Sequence, residues 1–427
     1  MAEQVFTKCA WRLIPFMGLL YLVNYIDRTN AGFAALTMNK DLGFSSVVYG
    51  FGAGIFFIGY SLFQVPANVM LERVGARRWI FSIMAAWGLL AAANALVRTP
   101  AGFYVVRFLL GVAEAGFTPG MFLYLTYWFP RRYLARVTAQ FLIALPLSFV
   151  IGGPLSSLIL GMDGMMGLHG WQWLFLVEGV PAFLIAFAVL KFLPDGPQHA
   201  SWLTDAEKET IAGRLAAEKP AGRPDFWPAL RDPRLIALGI ANFAFSVAAY
   251  GIYLWLPQIV RAMGFSNTAT GFVVALCFVA AIPALFFCGR SSSKRGERIW
   301  HAALPWLLTA SCLAVASLAP WNGIVLAALA VGLAANFAAF GAFFSLPSTF
   351  LRGTAAAGGL GLFCTFGNIG GFFGPTLTGM LVQGSGNYRT GFAADAVGYA
   401  LAAVIVIAVG RALAPHKSKH LDTAVSI

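Results

Sequence analysis

The chain has 427 residues, of which 59% are apolar and 11% are charged, and its formal net charge is +12. An average soluble domain carries about 25% charged residues, so this composition excludes an ordinary soluble protein. Apolar segments long enough to cross a bilayer recur from end to end, which indicates many membrane-spanning helices. The basic residues lie in short loops between these segments. That placement is typical of membrane topology and argues against a nucleic-acid partner.

Hydropathy predicts an all-α integral membrane protein with twelve transmembrane helices. The predicted spans are about 11–34, 47–70, 78–97, 102–126, 136–160, 171–193, 234–261, 267–289, 299–319, 322–349, 356–382 and 390–411. Most Lys and Arg residues follow the even-numbered spans, and basic loops face the cytoplasm. We therefore expect a multi-pass protein of the cytoplasmic (inner) membrane with both termini in the cytoplasm.

The longest polar stretch divides the spans six and six. The predicted domains are an N-terminal six-helix bundle at 1–193, a cytoplasmic central loop at 194–233, a C-terminal six-helix bundle at 234–413 and a cytoplasmic tail at 414–427. In the central loop, Thr204 and Glu207 form a capping-box pattern that predicts a short helix ending near Ala217.

The two halves repeat. Gly75, Arg77 and Trp79 recur 221 residues later as Gly296, Arg298 and Trp300, and Pro154 and Pro375 share that offset. Because six spans separate the copies, both halves enter the membrane in the same sense. Parallel repeats of this kind are associated with transporters that bind substrate near the bilayer midplane.

Four charged residues lie deep inside first-half spans, and the repeat has alanine at all four equivalent positions. The first-half residues are Asp27, Arg28, Arg107 and Glu114, and their counterparts at the same offset are Ala248, Ala249, Ala328 and Ala335. Each intramembrane charge costs about 2.5 kcal/mol or more, so such residues are functional candidates. A structural interpretation is also open: the first two residues could mark a helix end, and the other two could form an ion pair. Because the four charged residues have no charged counterparts in the second half, a functional role is favoured over a structural one.

Arginine binds carboxylates through two parallel hydrogen bonds and stays charged at physiological pH. Buried carboxylates can bind and release protons. We therefore predict Asp27 and Glu114 as proton-coupling residues, and Arg28 and Arg107 as contacts to an anionic substrate. Arg107 and Glu114 are seven residues apart and share a helix face, on which Gly111 would admit a neighbouring helix or a ligand.

Other polar residues in the spans are weaker candidates. Tyr60, Gln64, Tyr250 and Asn368 are predicted substrate contacts, although each could equally form an ordinary interhelical hydrogen bond. Glu178 and Asp395 lie near predicted span ends, and we interpret both as structural.

The loop after the second span contains Glu72, Arg73, Gly75 and Arg77. Gly75 permits a tight turn, and the charges can pair across the cytoplasmic face or meet helix termini. We predict a gating role for these four residues, although membrane topology alone would also account for the charges.

The sequence resembles the major facilitator superfamily and, within it, the anion:cation symporter family, which includes permeases for phthalate, tartrate, 4-hydroxyphenylacetate, nicotinate and sugar acids. The resemblance extends through nearly the whole chain. It is carried by Asn24-Tyr25-Ile26-Asp27-Arg28, the loop from Glu72 to Arg78, the stretch from Arg107 to Ala115, Tyr127-Trp128-Phe129-Pro130, Trp171-Gln172-Trp173-Leu174-Phe175 and Gly367-Asn368-Ile369-Gly370-Gly371.

The resemblance implies that Asp27 and Glu114 are the family's protonatable acids, that Arg28 and Arg107 are its anion-coupling arginines, and that Tyr60 and Gln64 line the pocket. The sequence departs from the family pattern at Glu72, usually Asp, at Ser293 and Lys294, where an acid–Arg pair is usual, and at Cys364, where many relatives have Asn. The cysteine favours a substrate with a less polar edge.

These observations predict proton-coupled uptake of an organic carboxylate by alternating access, with an aromatic, hydroxy or sugar acid as the favoured substrate. An anion exchanger or a uniporter is the alternative. A membrane-embedded enzyme or receptor is disfavoured, because the sequence has no nucleophile elbow, phosphate loop or metal-ligand pattern. We expect a monomer in the lipid bilayer whose partners are the carboxylate and protons, with no metal and no cofactor apart from the proton as coupling ion.

Overall fold

A computed structural model describes residues 2–218, 231–351 and 354–413. Within these ranges every regular element is an α-helix or a short 3-10 turn. The predicted tail at 414–427 and part of the predicted central loop lie outside the described residues.

The twelve spans follow in chain order. The first six are Ala2–Asp41, Ser46–Val74, Ala76–Ala93, Pro100–Glu114 continued by Phe117–Thr126, Arg131–Leu142 continued by Ala144–Leu160, and Gly170–Phe192. The last six are Pro233–Ala262, Asn267–Val279 continued by Ala281–Arg295, Ile299–Leu318, Asn322–Phe344, Thr354–Ser385 and Arg389–Leu413. Several helices extend beyond the predicted spans, because hydropathy detects only the part of a helix that is apolar.

Eleven helices among the described residues are long and apolar enough to cross a membrane. The eleventh span, Thr354–Ser385, is not among these eleven. It contains 32 residues and no Asp, Glu, Lys or Arg, so it is about 48 Å long.

The chain divides into two compact units. The first comprises Met1–Ala221 together with Tyr253–Leu276, and the second comprises Gly222–Ile252 together with Cys277–Ile427. The end of the seventh span and the start of the eighth therefore belong with the first six spans, although they come from the second half of the sequence.

Glycines let the spans of the first unit approach closely. A Cβ atom added at Gly111 would overlap the carbonyl oxygen of Phe56, and Gly59 makes the reciprocal approach from the second span. A Cβ atom at Gly88 would lie 2.9 Å from the carbonyl oxygen of Gly179. Small residues are the usual means of close helix packing in lipid. These contacts seat the fourth span on the second, and the sixth span on the third.

The segment 253–276 packs on the second and fifth spans of the same unit. The Tyr49 hydroxyl donates a hydrogen bond to the carbonyl oxygen of Leu254 at 2.7 Å, and the Tyr49 ring meets the edge of Trp255 at 4.9 Å. A Cβ atom at Gly153 would lie 2.5 Å from the carbonyl oxygen of Gly271. The fifth and eighth spans therefore touch backbone to backbone at this point.

Replacing Gly153 with leucine should lower the thermal stability of the purified protein. Inserting a side chain into a filled contact usually costs about 1–3 kcal/mol. The matched control is Gly18→Leu in the first span, where an added Cβ meets no atom within 4 Å. Thermal unfolding in detergent compares the two variants. Equal unfolding temperatures for wild type and Gly153→Leu would contradict the observed packing.

The core of the second unit is aromatic. The rings of Phe245 and Trp306 stack at 5.0 Å, and Trp306 lies 4.5 Å from Phe343. Ala248 and Ala249, the counterparts of Asp27 and Arg28, are buried in this unit. The repeat thus places alanine at buried positions of one half where the other half has charges.

The central-loop helix Asp205–Ala216 docks on the first unit. Its capping box is present, with Thr204 and Glu207 each bonding the other's backbone N–H. Lys8 donates a hydrogen bond to Glu207 and forms a 2.8 Å salt bridge with it. This hydrogen bond lowers the pKa of Glu207 below its usual value. The Trp202 ring stacks on Trp128 at 5.5 Å. The helix is therefore attached to the first unit by both polar and aromatic contacts.

Candidate functional site

Asp27 and Arg28 lie in the interior of a continuous helix. The first span continues to Asp41, and the two side chains are 1% and 6% exposed. They therefore do not mark a helix end, and the structural alternative for this pair is wrong. Two intramembrane charges at this depth need partners from other spans.

Glu114 is the partner of Arg28. Its Oε2 atom accepts one hydrogen bond from Arg28 Nη2 and another from Asn24 Nδ2, each at 2.8 Å. All three side chains are buried. The described salt bridges pair Glu114 with the first span and include no contact between Glu114 and Arg107. The other Glu114 oxygen, Oε1, is buried and has no hydrogen-bond partner among the described residues.

Asp27 is held by two neutral donors. Asn30 Nδ2 donates to Asp27 Oδ1 at 2.9 Å, and Trp87 Nε1 of the third span donates to Asp27 Oδ2 at 2.7 Å. Asp27 takes part in none of the described salt bridges. Its carboxylate is therefore bound by neutral donors and by no arginine among the described salt bridges.

Arg107 is 1% exposed in the fourth span. Its guanidinium lies 5.2 Å from the centre of the Phe56 ring, and Asp27 and Glu114 are the acids whose charges act on it. In the part of the chain that the structure describes, Nε and Nη1 of Arg107 are buried without a hydrogen-bond partner. A buried arginine with two such donors is a natural contact for an anion.

Aromatic rings surround the Arg28 guanidinium. It lies 4.9 Å from the Tyr25 ring, 5.1 Å from Phe56 and 5.1 Å from Tyr60, distances at which ring and cation attract. Tyr60 and Gln64 are both buried, one helical turn apart on the second span. The structure thus brings Tyr60 to Arg28 and places Gln64 on the same helix face.

Two of the predicted substrate contacts lie in the second unit. Tyr250 of the seventh span and Asn368 of the eleventh are partly buried there. The other predicted contacts and both predicted proton-coupling acids belong to the first unit.

The predicted gating loop is organised by an acid from the central loop. Gly75 has a φ of +91°, and Asp195 Oδ1 accepts a hydrogen bond from the backbone N–H of Arg77 at 2.9 Å. A carboxylate at a helix N-terminus is electrostatically favourable. The side chains of Glu72, Arg73 and Arg77 are exposed and occur in none of the described salt bridges.

Sequence reasoning missed several of these partners. Asn24 and Asn30 stand three residues before and after Asp27, so helical periodicity places them on its face, and that signal was available. Nothing in the sequence distinguishes Trp87 from the other eleven tryptophans. Asp195 belongs to a helix-stopping segment whose contact with Gly75 becomes visible only in the folded chain.

Buried charges of both signs inside a bundle of apolar helices are typical of membrane proteins with a functional site between their helices. The chain belongs to the Major Facilitator Superfamily, which matches residues 17–375. It is a multi-pass membrane protein of that family.

Named relatives support this assignment. The chain is 44% identical to a protein of Agrobacterium vitis named "Putative tartrate transporter", over 91% of this chain and 87% of the relative. It is 38% identical to a protein of Acinetobacter baumannii named "Quinolone resistance transporter", over 91% of each. Among solved structures, a bacterial homologue of the human lysosomal transporter Spinster, in an inward-facing and unoccupied conformation, superposes with a TM-score of 0.77. It is 17% identical and covers 96% of this chain and 97% of its own. That likeness concerns the fold alone.

Proposed function

We propose that the protein takes up an organic carboxylate together with protons across the cytoplasmic membrane by alternating access. The observation that carries this proposal is the burial of two acids and two arginines in one unit. Glu114 forms a salt bridge with Arg28, and two Arg107 donors have no partner among the described residues. In this proposal the protein acts as a monomer with both termini in the cytoplasm.

The arginines suit a carboxylate substrate. The Arg107 atoms Nε and Nη1 lie on different edges of the guanidinium, and each can donate a hydrogen bond to an anionic substrate. Leaving such donors buried without a partner is costly, so an anion that accepts from them is bound favourably. Tyr60 of the second span lies against Arg28, and Gln64 is buried one helical turn further along the same span. We propose both as further contacts. Tyr250 and Asn368 are proposed as the contacts of the second unit.

The acids suit proton coupling. Asp27, Glu114, Arg28 and Arg107 together have no net charge. A monovalent carboxylate that enters with one proton leaves the cluster neutral, whereas an anion alone would add an uncompensated buried charge. A proton on Glu114 would weaken its bond to Arg28 and let the Arg28 guanidinium turn to the substrate. With a dicarboxylate, one proton on each of the two acids would compensate the two negative charges of the substrate in the same way.

The substrate is best sought among aromatic, hydroxy and sugar acids. The relative named as a tartrate transporter supports a hydroxy acid. Cys364 in the eleventh span supports a less polar edge. Thermal-shift screening of the purified protein against these three groups should reveal the ligand, because a ligand that binds only the native state raises its apparent stability.

Reconstituted proteoliposomes test the coupling. Counterflow measures substrate exchange without a driving force, and an imposed pH gradient measures proton-driven accumulation. We expect both activities. Counterflow without any response to the pH gradient would contradict proton coupling and identify an exchanger or a uniporter instead.

Export is a second candidate, favoured by the relative named as a quinolone resistance transporter. A proton-coupled exporter would lower the cellular content of its substrate and raise tolerance to it. Expression in a strain without its own exporters, followed by measurement of the accumulated substrate, distinguishes the two directions. We expect accumulation to rise.

Replacing Trp87 with phenylalanine should move the pH dependence of transport to higher pH. The change removes the indole N–H that donates to Asp27 Oδ2. Because that hydrogen bond favours the ionised acid, its loss favours the protonated form, and Asp27 then releases its proton only at higher pH. Initial rates of proton-driven uptake across a pH series measure the midpoint. A midpoint that moves to lower pH would contradict the role of Asp27.

A further inference from the structure

A third acid, Glu178, is buried in the first unit near Asp27. It lies in the sixth span, and its side chain is buried where that span packs against the third through Gly179 and Gly88. Ser156 Oγ of the fifth span donates to Glu178 Oε1 at 2.8 Å. Glu178 occurs in none of the described salt bridges, and its second oxygen, Oε2, is buried with no hydrogen-bond partner in the described ranges. Its surroundings do not explain it as a structural ion pair.

Asn30 connects this acid to Asp27. The Asn30 side chain donates to Asp27 Oδ1 and lies within interaction distance of Glu178 as well. Asn30 Oδ1 is buried and, among the residues described, has no donor. Hydrogen bonds join Trp87, Asp27 and Asn30 into one group and Ser156 and Glu178 into another. Asn30 is the side chain that acts on both acids.

A proton on one of the two acids would add a hydrogen bond between these two groups. A carboxylate accepts hydrogen bonds only, whereas a protonated carboxyl group also donates one. A proton on Glu178 Oε2 would supply the donor that Asn30 Oδ1 lacks, while the Asn30 amide continues to donate to ionised Asp27. With the amide turned over, Asp27 would donate and Glu178 would accept. Either acid can therefore have the proton, and Asn30 adjusts to both arrangements.

We propose that Glu178 is a third proton-binding acid of this transporter, and that Asn30 couples its protonation to that of Asp27. This inference rests on the proton coupling proposed above. Glu178 acts through Asp27 and is thus a positioning residue with no direct substrate contact. Its role is to set the proton affinity of Asp27 in the transport cycle.

The charged groups around the pair fix the sign of the effect. Ser156 donates to Glu178, and Asp27 and Asn30 act on Glu178 electrostatically. Glu114 and Arg107 act on Asp27 together with its two donors. An ionised Glu178 repels the negative charge of Asp27 and thereby favours proton binding there. Removing the charge of Glu178 should make Asp27 bind its proton only at lower pH.

The test is Glu178→Gln in proteoliposomes. Glutamine preserves a hydrogen-bonding group of similar size but does not titrate. We expect counterflow to remain within about twofold of wild type at acidic pH, and the midpoint of proton-driven uptake to move to lower pH by roughly half a unit or more. A purely structural Glu178, protonated throughout, would leave the midpoint unchanged, and that result would overturn the inference.

Ser156→Ala provides a second variant in case the first does not fold. Losing the hydroxyl donor makes ionised Glu178 less favourable, so the midpoint should move in the same direction by a smaller amount. Asp395→Asn is the matched control, because Asp395 is a buried acid of the second unit. This substitution should leave the midpoint of proton-driven uptake unchanged. If the wild type responds to a pH gradient while neither Glu178→Gln nor Ser156→Ala shifts its midpoint, this inference fails alone. If the wild type does not respond, the proposed coupling fails.

Discussion

Glu114→Gln should abolish proton-driven accumulation while preserving substrate exchange. The Glu114 carboxylate accepts from Arg28 and Asn24 at 2.8 Å, and glutamine fills the same space without binding a proton. An electroneutral symporter can reach about tenfold accumulation per pH unit, because one pH unit and a factor of ten in concentration have the same free energy. We expect the ratio in the variant to fall to about one. Uptake under an imposed pH gradient and counterflow are measured on the same vesicles.

Glu209→Gln is the matched control for this change. Glu209 is an exposed acid on the central-loop helix, so the same loss of a carboxylate there should leave accumulation intact. Full proton-driven accumulation by Glu114→Gln would show that this acid does not couple protons to transport. The coupling would then have to depend on Asp27.

Arg107→Lys should weaken substrate binding by about 100-fold. Lysine preserves the charge but loses the planar guanidinium, whose Nε and Nη1 donors are buried without described partners. Hydrogen bonds to charged groups contribute about 1.5–3 kcal/mol each, and about 2.7 kcal/mol corresponds to a factor of 100 in affinity. The dissociation constant follows from substrate titration of the purified variant.

The control for this prediction is Arg98→Lys. Arg98 is exposed at the end of the third span, where the same conservative change should leave affinity unchanged. Wild-type affinity in Arg107→Lys would remove this residue from the substrate site. A loss of affinity in both variants would point to a general effect on the fold instead.

Several features of this protein follow from its sequence alone. Long apolar segments specify spanning helices, because a backbone in lipid must satisfy its own hydrogen bonds. The charges at Asp27, Arg28, Arg107 and Glu114 are conspicuous in an apolar chain, so the amino-acid sequence is enough to name these candidate residues. Their absence from the repeated half indicates the unit in which they act.

The pairing of those charges was decided by the tertiary structure. The sequence places Arg107 and Glu114 on one face of one helix, yet the salt bridge joins Glu114 to Arg28 on another span. Close packing of the second and fourth spans at Gly59 and Gly111 places the fourth-span side chains among partners far away in the sequence. Helical periodicity predicts which residues share a helix face, but it does not predict which other helix packs against that face.

The same reason applies to the surroundings of Asp27. Its neighbours Asn24 and Asn30 are set by the periodicity of one helix and can be read from the sequence. Trp87 and Glu178 come from the third and sixth spans, whose approach depends on backbone contact at Gly88 and Gly179. The sequence by itself determined that this protein spans the membrane and that two acids and two arginines lie inside the spans of its first half. Only the packing of the helices decided that Glu114 contacts an arginine and that Asp27 contacts neutral donors. The distances between these side chains depend on contacts between segments that are remote in the chain.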